Sequence, residues 1–553
     1  MRAIRAISSL AASLLISSGA VSWPPQESWS PIDPARLSEI TKTLSSDRYQ
    51  GRAPGSVEGE KAVDYIVAQF KALGLEPAGP AGAWTQPVPL VHNELAAPRL
   101  LFVQVGGKTV PLIVGTDISP KTARAGNRLS IDAAPMVFVG YGVSAPERGW
   151  DDFKGVDLHG KIAVFLVNDP DFAAEPGEAV ANKFGGKAMT YYGRWSYKYE
   201  EAARRGALGA LIIHDTQAAG YGWNVASNLA GGTYDVVRAG DAPKPVALQA
   251  WISAGFARTL FANAGLDLDA LAKQARRSDF HPVDIGDARF SIDAAEHSER
   301  IESRNVLAKL TGAMRPDEEI MFAAHWDAFG VGAPDAQGRT IRPGAADDAI
   351  GVAGILELAR VFKAGPRPER TLIFAAWTAE ERGLLGSETY ALHPVVPFDK
   401  VVANITLDVL QTAGPSRDVV LIGAGQNSLE QDLVRAASTQ DRRVTPDSQP
   451  QRGLFYRADH FSFAKRGVPT LLLMSLAGGP DLNAGGRKAG DAWVEAYTSR
   501  CYHQPCDAWS ANWDLRGAAQ DVSLAYRMGS NLANSSVWPG WNAGSEFEAL
   551  RRK

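Results

Sequence analysis

Three apolar segments in the second half of the chain each lead directly into residues that bind metals or carry protons. The segments and the polar residues that follow them are Glu319 to Ala324 with His325 and Asp327, Thr371 to Trp377 with Glu380 and Glu381, and Val401 to Leu407 with Asp408. Each segment is short, apolar and typical of a buried strand. In an open α/β sheet, ligands bind outside the carboxyl ends of the strands. The pattern therefore predicts an α/β sheet with one functional crevice.

A further acidic pair lies between the first two segments. Asp347 and Asp348 directly precede the helix-like run Ile350 to Phe362. Taken alone, two aspartates before a helix usually cap it, and adjacent glutamates at a helix start usually interact with the helix dipole. The co-occurrence of all these groups favours a shared site instead.

Length and composition exclude several classes of protein. A chain of 553 residues predicts two or three folding units. Its 45% hydrophobic and 21% charged residues are typical of a globular protein. A net charge of -4 and a pI near 6.2 lack the basic signature of nucleic-acid binding. Beyond the N-terminus no apolar run reaches the roughly 18 residues needed to cross a bilayer. We predict no membrane span, and the sequence leaves the oligomeric state open.

The N-terminal residues 1–22 resemble a cleavable signal peptide. Arg2 and Arg5 precede an apolar stretch, and Ala20 to Ser22 offers small residues for cleavage. A short N-terminal helix is the alternative. The signal predicts a periplasmic or secreted protein.

The two cysteines of the chain are separated by four residues. Cys501 and Cys506 lie in C-Y-H-Q-P-C. In an oxidising compartment such a pair forms a disulfide; the alternative is that both bind zinc. We favour the disulfide.

The sequence pattern changes near residue 132, where several short strands are predicted. Short strand patterns at Pro135 to Gly142, Leu158 to Val167 and Ala207 to Asp215 carry little catalytic chemistry. They predict an insertion over residues 132–271, between the N-terminal part of the main domain, 23–131, and its remainder, 272–553. The aromatic run Met189 to Trp195 within it either packs internally, which we favour, or leans over the crevice as a lid.

The predicted cluster has the composition of a zinc site. Zinc accepts imidazole nitrogen and carboxylate oxygen at roughly 2.0 to 2.2 Å. One histidine with several acids holds one ion, and two ions that share a carboxylate need a second histidine. His460, in A-D-H-F, and His503, in C-Y-H-Q-P-C-D, both lie in polar loops. The residues alone do not show which of these two histidines would bind a second ion.

Together these motifs resemble the co-catalytic zinc aminopeptidases, with glutamate carboxypeptidase and the transferrin receptor ectodomain as relatives. The resemblance rests on H-x-D, G-A-x-D-D-x-x-G, the adjacent E-E, N-x-x-x-D and Y-H-x-P-x-D, and extends to G-R-A-P-G at Gly51 to Gly55. It implies a zinc-exopeptidase α/β fold with a central mixed, mainly parallel sheet flanked by helices. It also implies that the insertion is a β-rich protease-associated domain.

The resemblance further implies a peptide substrate, two zinc ions and a set of residue roles. His325 and Asp408 would bind one zinc, Glu381 and His503 the other, and Asp347 would bridge them. His460 would then be a wall residue of the site. Asp327 would accept a hydrogen bond from the far ring nitrogen of His325. A cis peptide is expected between Asp347 and Asp348.

For catalysis, the resemblance implies a general base and an oxyanion donor. Glu380 would take a proton from a zinc-activated water and pass it to the leaving amine. Tyr502 would donate a hydrogen bond to the tetrahedral oxyanion.

The predicted function is hydrolysis of peptide bonds by a zinc metallopeptidase, with an aminopeptidase as the first hypothesis. A dipeptidase or carboxypeptidase would share the same metal ligands. A glutaminyl cyclase usually binds one zinc, and a receptor-like module would lack the ligands, so both are less favoured. The residue preference stays open.

Overall fold

A mixed β-sheet holds the three predicted ligand-bearing strands side by side. The computed structural model describes residues 32–228, 232–238 and 244–551, so the predicted signal peptide, 1–22, lies outside the described residues. Numbered in chain order, the strands of this first sheet are β1 (Glu76–Pro77), β2 (Thr85–Leu95), β11 (Thr233–Val236), β13 (Val283–Leu310), β14 (Arg315–His325), β17 (Arg370–Trp377), β18 (Val401–Leu407) and β21 (Thr470–Leu473). Its order runs β21-β18-β14-β17-β13. The first four of these strands are parallel, and β13 is antiparallel to β17.

The register of the parallel strands brings their carboxyl ends to one edge. His325, the last residue of β14, lies beside Trp377 of β17. Ala323 of β14 lies beside Thr406 of β18. The loops that follow these strands therefore meet above the same edge of the sheet. This arrangement confirms the predicted α/β class with a central mixed sheet.

A second sheet is built around the first half of β13. Its other strands are β3 (Leu100–Val105), β4 (Lys108–Pro111), β5 (Ile118–Lys121), β6 (Arg128–Phe138), β9 (Ile162–Leu166), β10 (Gly209–Ile213) and β12 (Leu248–Ile252). The strand patterns of the predicted insertion, 132–271, all fall in this sheet. The sheet also takes in β3, β4 and β5, which precede residue 132, and the start of β13, which follows residue 271. The domain boundaries themselves stay a prediction.

Helices cover the first sheet and continue into the second. The helices are α1 (Pro34–Leu44), α2 (Val57–Ala72), α3 (Trp195–Arg204), α4 (Thr216–Ala219), α5 (Trp223–Ala226), α6 (Ala254–Asn263), α7 (Leu268–Gln274), α8 (Ile350–Ala364), α9 (Leu385–Leu392), α10 (Leu429–Ser438), α11 (His460–Ala464), α12 (Gly486–Arg500) and α13 (Arg516–Ala533). Apolar residues of α1, α2, α8, α10 and α13 share one core with the first sheet. Within this core the buried Glu357 of α8 forms ion pairs with Arg36 of α1 and with Arg360. The first helix of the described chain is thus fixed to its second half.

Three short strand pairs complete the described elements. They are β7 (Ser144–Ala145) with β8 (Trp150–Asp151), β15 (Gly330–Val331) with β16 (Ile341–Arg342), and β19 (Asp418–Leu421) with β20 (Arg443–Pro446). Among the residues that the structure describes, no helix combines the length and apolarity that a membrane crossing requires.

The aromatic segment Met189 to Trp195 packs both within the second sheet's layer and against the first. Tyr191 contacts Tyr197 of α3, with ring centroids 5.0 Å apart. The same ring lies 5.1 Å from Phe461 of α11. The Met189 amide donates to the carbonyl oxygen of Pro450 at 3.2 Å. The segment therefore joins the two sheets rather than packing only internally.

Candidate metal centre

Side chains from the predicted loops converge on the carboxylate of Asp347. His325 Nε2 lies 3.1 Å from Asp347 Oδ1, and His503 Nε2 lies 3.2 Å from Asp347 Oδ2. Glu381 Oε2 lies 3.1 Å from His503 Nε2, and Asp408 Oδ1 lies 3.9 Å from His325 Nε2. Each oxygen of Asp347 thus faces a different histidine. The structure brings the five predicted ligands together.

The donor set fits zinc in chemistry and spacing. Neighbouring ligand atoms around a tetrahedral zinc ion lie about 3.3 Å apart, given metal–ligand distances of about 2.0 Å. His503 Nε2 makes no hydrogen bond in the described chain although two carboxylate oxygens lie within 3.2 Å. Two overlapping groups of donors could each hold an ion: His325 with Asp347 and Glu381, and His325 with Glu380 and Asp408. The residues present therefore suit zinc.

The cluster has more carboxylates than histidines, and this excess of negative charge attracts cations. In the described ranges the ion-pair partners found for Asp347, Glu381 and Asp408 are histidines alone. Burial raises the pKa of Asp408 well above its usual range, and the neighbouring Asp347 carboxylate adds to this shift. Burial lowers the pKa of His503, but Glu381 and Asp347 outweigh it and raise the pKa to about 10. Such a cluster favours bound cations over protonated carboxylates.

The carboxylate of Asp348 connects the three segments that carry His325, Asp347 and Asp408. Its Oδ2 accepts a hydrogen bond from the His325 amide at 3.3 Å. Its Oδ1 accepts from the amides of Val409 at 3.2 Å and Gly351 at 3.0 Å. A side chain at Gly351 would lie 2.2 Å from Asp348 Oδ2, so glycine is required there for close approach. The expected cis peptide between Asp347 and Asp348 is present.

Asp507 fixes the loop of Asp347 to the loop of His503. Its carboxylate accepts from the Ala346 amide at 2.9 Å and from the Asp347 amide at 3.1 Å. The Tyr497 hydroxyl donates to the same carboxylate at 3.1 Å. Asp507 is the last residue of Y-H-x-P-x-D, so the motif contained it although no role was predicted.

Asp327 differs from its predicted role. Its carboxylate lies 3.7 Å from His325 Nδ1, beyond hydrogen-bond distance. The backbone carbonyl of Asp327 takes that place at 3.2 Å, while its carboxylate accepts the Glu380 amide at 3.0 Å. The chain turns between residues 325 and 327 so that the carbonyl, not the side chain, faces the ring. Asp327 therefore positions both His325 and Glu380, by different atoms.

The side chain of Glu380, 9% exposed, lies beside the imidazole of His325. Its Oε2 lies 3.9 Å from His325 Nε2. Burial raises the pKa of Glu380 well above its usual range, whereas the charge of His325 opposes this shift. The carboxylate therefore has the environment of a group that exchanges a proton.

The second histidine is held by rings and a disulfide. The ring of His503 lies 3.7 Å from that of Tyr502 and 4.4 Å from that of Phe329. Its backbone φ of +63° is left-handed, in a short loop closed by the bond between Cys501 and Cys506. The predicted disulfide is confirmed. Tyr502 lies beside the ligands, as its place next to His503 in the sequence requires.

His460 does not reach the cluster's donor groups. Its ring is fully buried, packs 4.9 Å from the Phe455 ring and makes no hydrogen bond in the described chain. Burial lowers its pKa to about 3. Burial raises the pKa of Glu380 and of Asp408, and the charge of the neighbouring Asp459 adds to both shifts. That His460 forms a wall of the site stays a prediction.

Arg52 supports the site from the N-terminal part of the chain. It is fully buried, and its guanidinium donates to the carbonyl oxygens of Trp326 at 2.6 Å, Pro343 at 2.7 Å and Gly344 at 2.8 Å. These carbonyls flank the loops of His325 and Asp347. The preceding Gly51 has φ +70°, and a side chain there would lie 2.4 Å from the Arg342 carbonyl oxygen. The G-R-A-P-G motif was part of the resemblance seen in the sequence. Only the structure shows that its Arg52 binds backbone carbonyls next to the candidate metal site.

Comparison with known proteins gives one family and several relatives. Residues 305–527 match the model of peptidase family M28. A probable zinc metalloprotease of Pyrenophora teres f. teres (strain 0-1) is 40% identical over 105 residues, which cover 19% of this chain and 22% of that protein. Leupeptin-inactivating enzyme 1 of Streptomyces exfoliatus is 26% identical over 238 residues, or 43% of this chain and 50% of that protein. The chain thus spans at most half the length of these curated relatives. An aminopeptidase structure from Aneurinibacillus sp. strain AM-1 aligns over 92% of this chain and 95% of its own, with 22% identity and a TM-score of 0.46.

Proposed function

Because residues 305–527 match the model of peptidase family M28, we propose that the whole protein is a two-zinc aminopeptidase that removes residues from the amino end of peptides. One observation carries the proposal. The two oxygens of Asp347 face His325 and His503 separately, at 3.1 and 3.2 Å. If two zinc ions are bound, Asp347 could contribute one oxygen to each. Asp408 and Glu381 then complete one ligand set each.

The chain's own residues supply the proton transfer. Zinc ions in such a site polarise a carbonyl and lower the pKa of water. Glu380 adjoins the ligand Glu381 in sequence and is positioned by the hydrogen bond from its amide to Asp327. It takes the proton of the attacking water and passes it to the leaving amine. Tyr502 donates its hydroxyl proton in a hydrogen bond to the oxyanion.

An aminopeptidase is favoured over its alternatives by the charge of the site. The carboxylates of Glu380, whose side chain is 9% exposed, and of the buried Asp459 exceed what the proposed ligand set needs. A free ammonium group on the substrate would balance this charge. A dipeptidase requires the same group and is the second candidate. A carboxypeptidase would lack this electrostatic match.

The signal-like residues 1–22 and the disulfide at residues 501 and 506 support export to the periplasm or medium. The second sheet supports a protease-associated domain in the insertion. Intact mass of the exported protein tests the cleavage: a protein that retains residues 1–22 would contradict it.

Zinc content and paired substrates test the function. Purified protein should contain two zinc ions per chain and lose activity on chelation. It should hydrolyse leucyl peptides and spare their N-acetylated counterparts. Absence of stoichiometric zinc, or equal cleavage of free and blocked peptides, would reject the proposal. Cleavage of dipeptides with no action on longer peptides would select the dipeptidase.

A further inference from the structure

The two imidazoles of the candidate metal centre are held in different ways. His325 Nδ1, on the opposite side of the ring from the nitrogen that faces Asp347, lies 3.2 Å from the carbonyl oxygen of Asp327. Metal-binding histidines usually make such a hydrogen bond, which fixes the orientation of the ring. Among the residues that the structure describes, Nδ1 of His503 makes no such bond, although Nε2 faces Asp347 and Glu381 at 3.2 and 3.1 Å. Other contacts therefore orient His503.

Two aromatic rings contact the imidazole of His503. The Tyr502 ring lies 3.7 Å from it at an interplanar angle of 30°, and the Phe329 ring lies 4.4 Å from it at 40°. Tyr502 belongs to the same disulfide-closed loop as His503. Phe329 comes from a different segment, between β14 and β15. Of the two rings, Phe329 is thus the one that can hold the imidazole against the first sheet.

The backbone around Phe329 is attached to the N-terminal part of the chain. The Ala328 amide donates to the carbonyl oxygen of Arg52 at 3.3 Å, and the Gly330 amide donates to that of Gly51 at 3.0 Å. The residues on both sides of Phe329 are therefore bound to the G-R-A-P-G loop. The direction of the Phe329 ring then depends on the side chains that pack against it.

Arg382 connects the ring of Phe329 to a second ring. Its guanidinium lies 4.9 Å from the centre of the Phe329 ring and 5.0 Å from that of Tyr234, in β11. Within the described ranges Arg382 forms no ion pair, and its buried Nε makes no hydrogen bond. A guanidinium in this position interacts mainly with the faces of the two rings. Because Arg382 directly follows Glu381, the contact also ties Phe329 to the loop of that ligand.

These contacts belong to one continuous series of stacked side chains. Neighbouring members lie 3.7 to 5.0 Å apart, and in order they are His92, Tyr234, Arg382, Phe329, His503 and Tyr502. The first two members are also paired in register on β2 and β11. The series therefore connects two strands of the first sheet to the candidate metal centre through side chains.

We propose that Phe329 and Arg382 are positioning residues for His503. Through His503 they set the affinity of the zinc ion assigned to it and to Glu381, an assignment that rests on the proposed function. Phe329 holds the imidazole in the orientation in which Nε2 faces the ligand carboxylates, and Arg382 holds the ring of Phe329. The other ion has the hydrogen-bonded His325 and does not depend on the series. The two ions should therefore respond differently when the series is broken.

Stepwise zinc binding tests the proposal. Metal-free protein is titrated with zinc in competition with a chelator, which gives a dissociation constant for each ion. His503→Ala should lose one ion, and this loss identifies the ion that depends on the series. Phe329→Leu removes the ring and keeps a similar volume. It should weaken the same ion by about 10- to 100-fold, the usual effect of losing a group that orients a ligand, and leave the other ion within a few-fold of the wild type.

Conservative variants separate positioning from general damage to the fold. Phe329→Tyr keeps a ring and should keep the wild-type affinity. Arg382→Met should weaken the same ion by about three- to tenfold, and Arg382→Lys, which keeps the cation, should restore most of the affinity. Arg205→Met is the matched control, since Arg205 lies 3.7 Å from the centre of the Phe153 ring in the second sheet's layer. It should leave both ions unchanged.

Two results would overturn the proposal. If Phe329→Leu binds both ions as the wild type does, the ring does not position His503. If Phe329→Leu weakens both ions equally, the ring only supports the fold. Arg382→Met gives the same decision should Phe329→Leu fail to fold. The titration needs no substrate, so a protein that binds two ions and shows the selective loss but cleaves no peptide would reject the proposed function alone.

Discussion

Neighbouring residues of one type have different tasks in this site. Asp347 faces two imidazoles, while Asp348 accepts three backbone amides. Glu381 adjoins His503, while Glu380 is held by Asp327. The contacts of each carboxylate, not its residue type, decide whether it binds metal, moves protons or holds loops.

Glu380→Gln should separate catalysis from metal binding. Glutamine preserves the shape and removes the basic carboxylate, so zinc content and fold should remain. General base catalysis contributes roughly 10² to 10⁴-fold, and this loss should fall mainly on kcat. Steady-state kinetics with metal analysis provides the measurement. The matched change Glu381→Gln should reduce zinc content, and a Glu380 variant within a few-fold of the parent rate would contradict the assigned base.

His503→Ala and His460→Ala should differ in bound zinc. His503 Nε2 faces two carboxylates of the cluster, so its loss should remove one ion. His460 packs on Phe455 in the core, so its loss should lower stability by about 1–3 kcal/mol and keep both ions. Metal analysis of folded protein decides between them. Retention of two ions in His503→Ala would refute its assignment as a ligand.

Motifs located the acids and histidines, but contacts at the level of single atoms were beyond the sequence. H-x-D predicted that Asp327 supports His325, whereas the turn presents the carbonyl of Asp327 to the ring. A-D-H-F drew attention to His460, whereas the charge that acts on Glu380 from this segment is that of Asp459, at the start of the helix. The backbone angles of a single residue decide which of two neighbouring groups faces the site. The order of residues in a motif does not show these angles.

At the scale of elements, uniform apolar runs were predictable and long strands with polar faces were not. The predicted segments match β17 and β18 to within one residue because buried parallel strands are largely apolar. β14 begins four residues before its predicted segment, in the polar run Arg315 to Glu318. β13 contains the polar run Glu296 to Arg300 and yet continues over 28 residues. Its pairing with β2 and β6 supplies the stability that its composition does not.

Glu319, the only acid of β14 that is buried in the described chain, predicts a pH-dependent stability of this strand. Burial raises its pKa to about 7 from an ordinary 4.5, and Oε2 has no partner among the described residues. The folded state therefore favours the protonated form. This group costs nothing below about pH 4.5, and its cost grows to about 3 kcal/mol above pH 7.

Glu319→Gln should remove that cost. Its unfolding free energy in urea should match the wild type near pH 4.5 and exceed it by about 1–3 kcal/mol at pH 8. The exposed Asp317→Asn is the matched control and should show no such dependence. A variant no more stable than wild type at pH 8 would show that Glu319 is not a buried charge.

At the scale of the whole molecule, residues far apart in the chain meet at the metal centre. Arg52 donates to carbonyls near residues 326 and 344, and α1 is paired to α8 through Arg36 and Glu357. In the sequence, G-R-A-P-G stood out only as part of the family resemblance, and nothing there indicated the partners of this loop or of α1. Their contacts span several hundred residues, a separation over which periodicity carries no information.

Arg52→Met should weaken both the fold and the metal centre. Methionine fills similar space but leaves four buried carbonyl oxygens without their donor, at about 1–3 kcal/mol for each unpaired group. We expect a loss of at least about 3 kcal/mol in unfolding free energy, with weaker zinc binding. Urea unfolding with and without zinc measures both. The exposed Arg48→Met in the same region is the control, and equal stability of the two variants would contradict the role of Arg52.

The packing of α1 against α8 has a consequence for the timing of synthesis. Leu37, Ile40 and Leu44 share their core with residues of α8 and α13, and α13 ends at Ala533. Ribosomes add about 5–20 residues per second, so the first helix waits tens of seconds for its last partners. During that interval its apolar face is available to chaperones. Folding of this protein is therefore completed only after nearly the whole chain has been made.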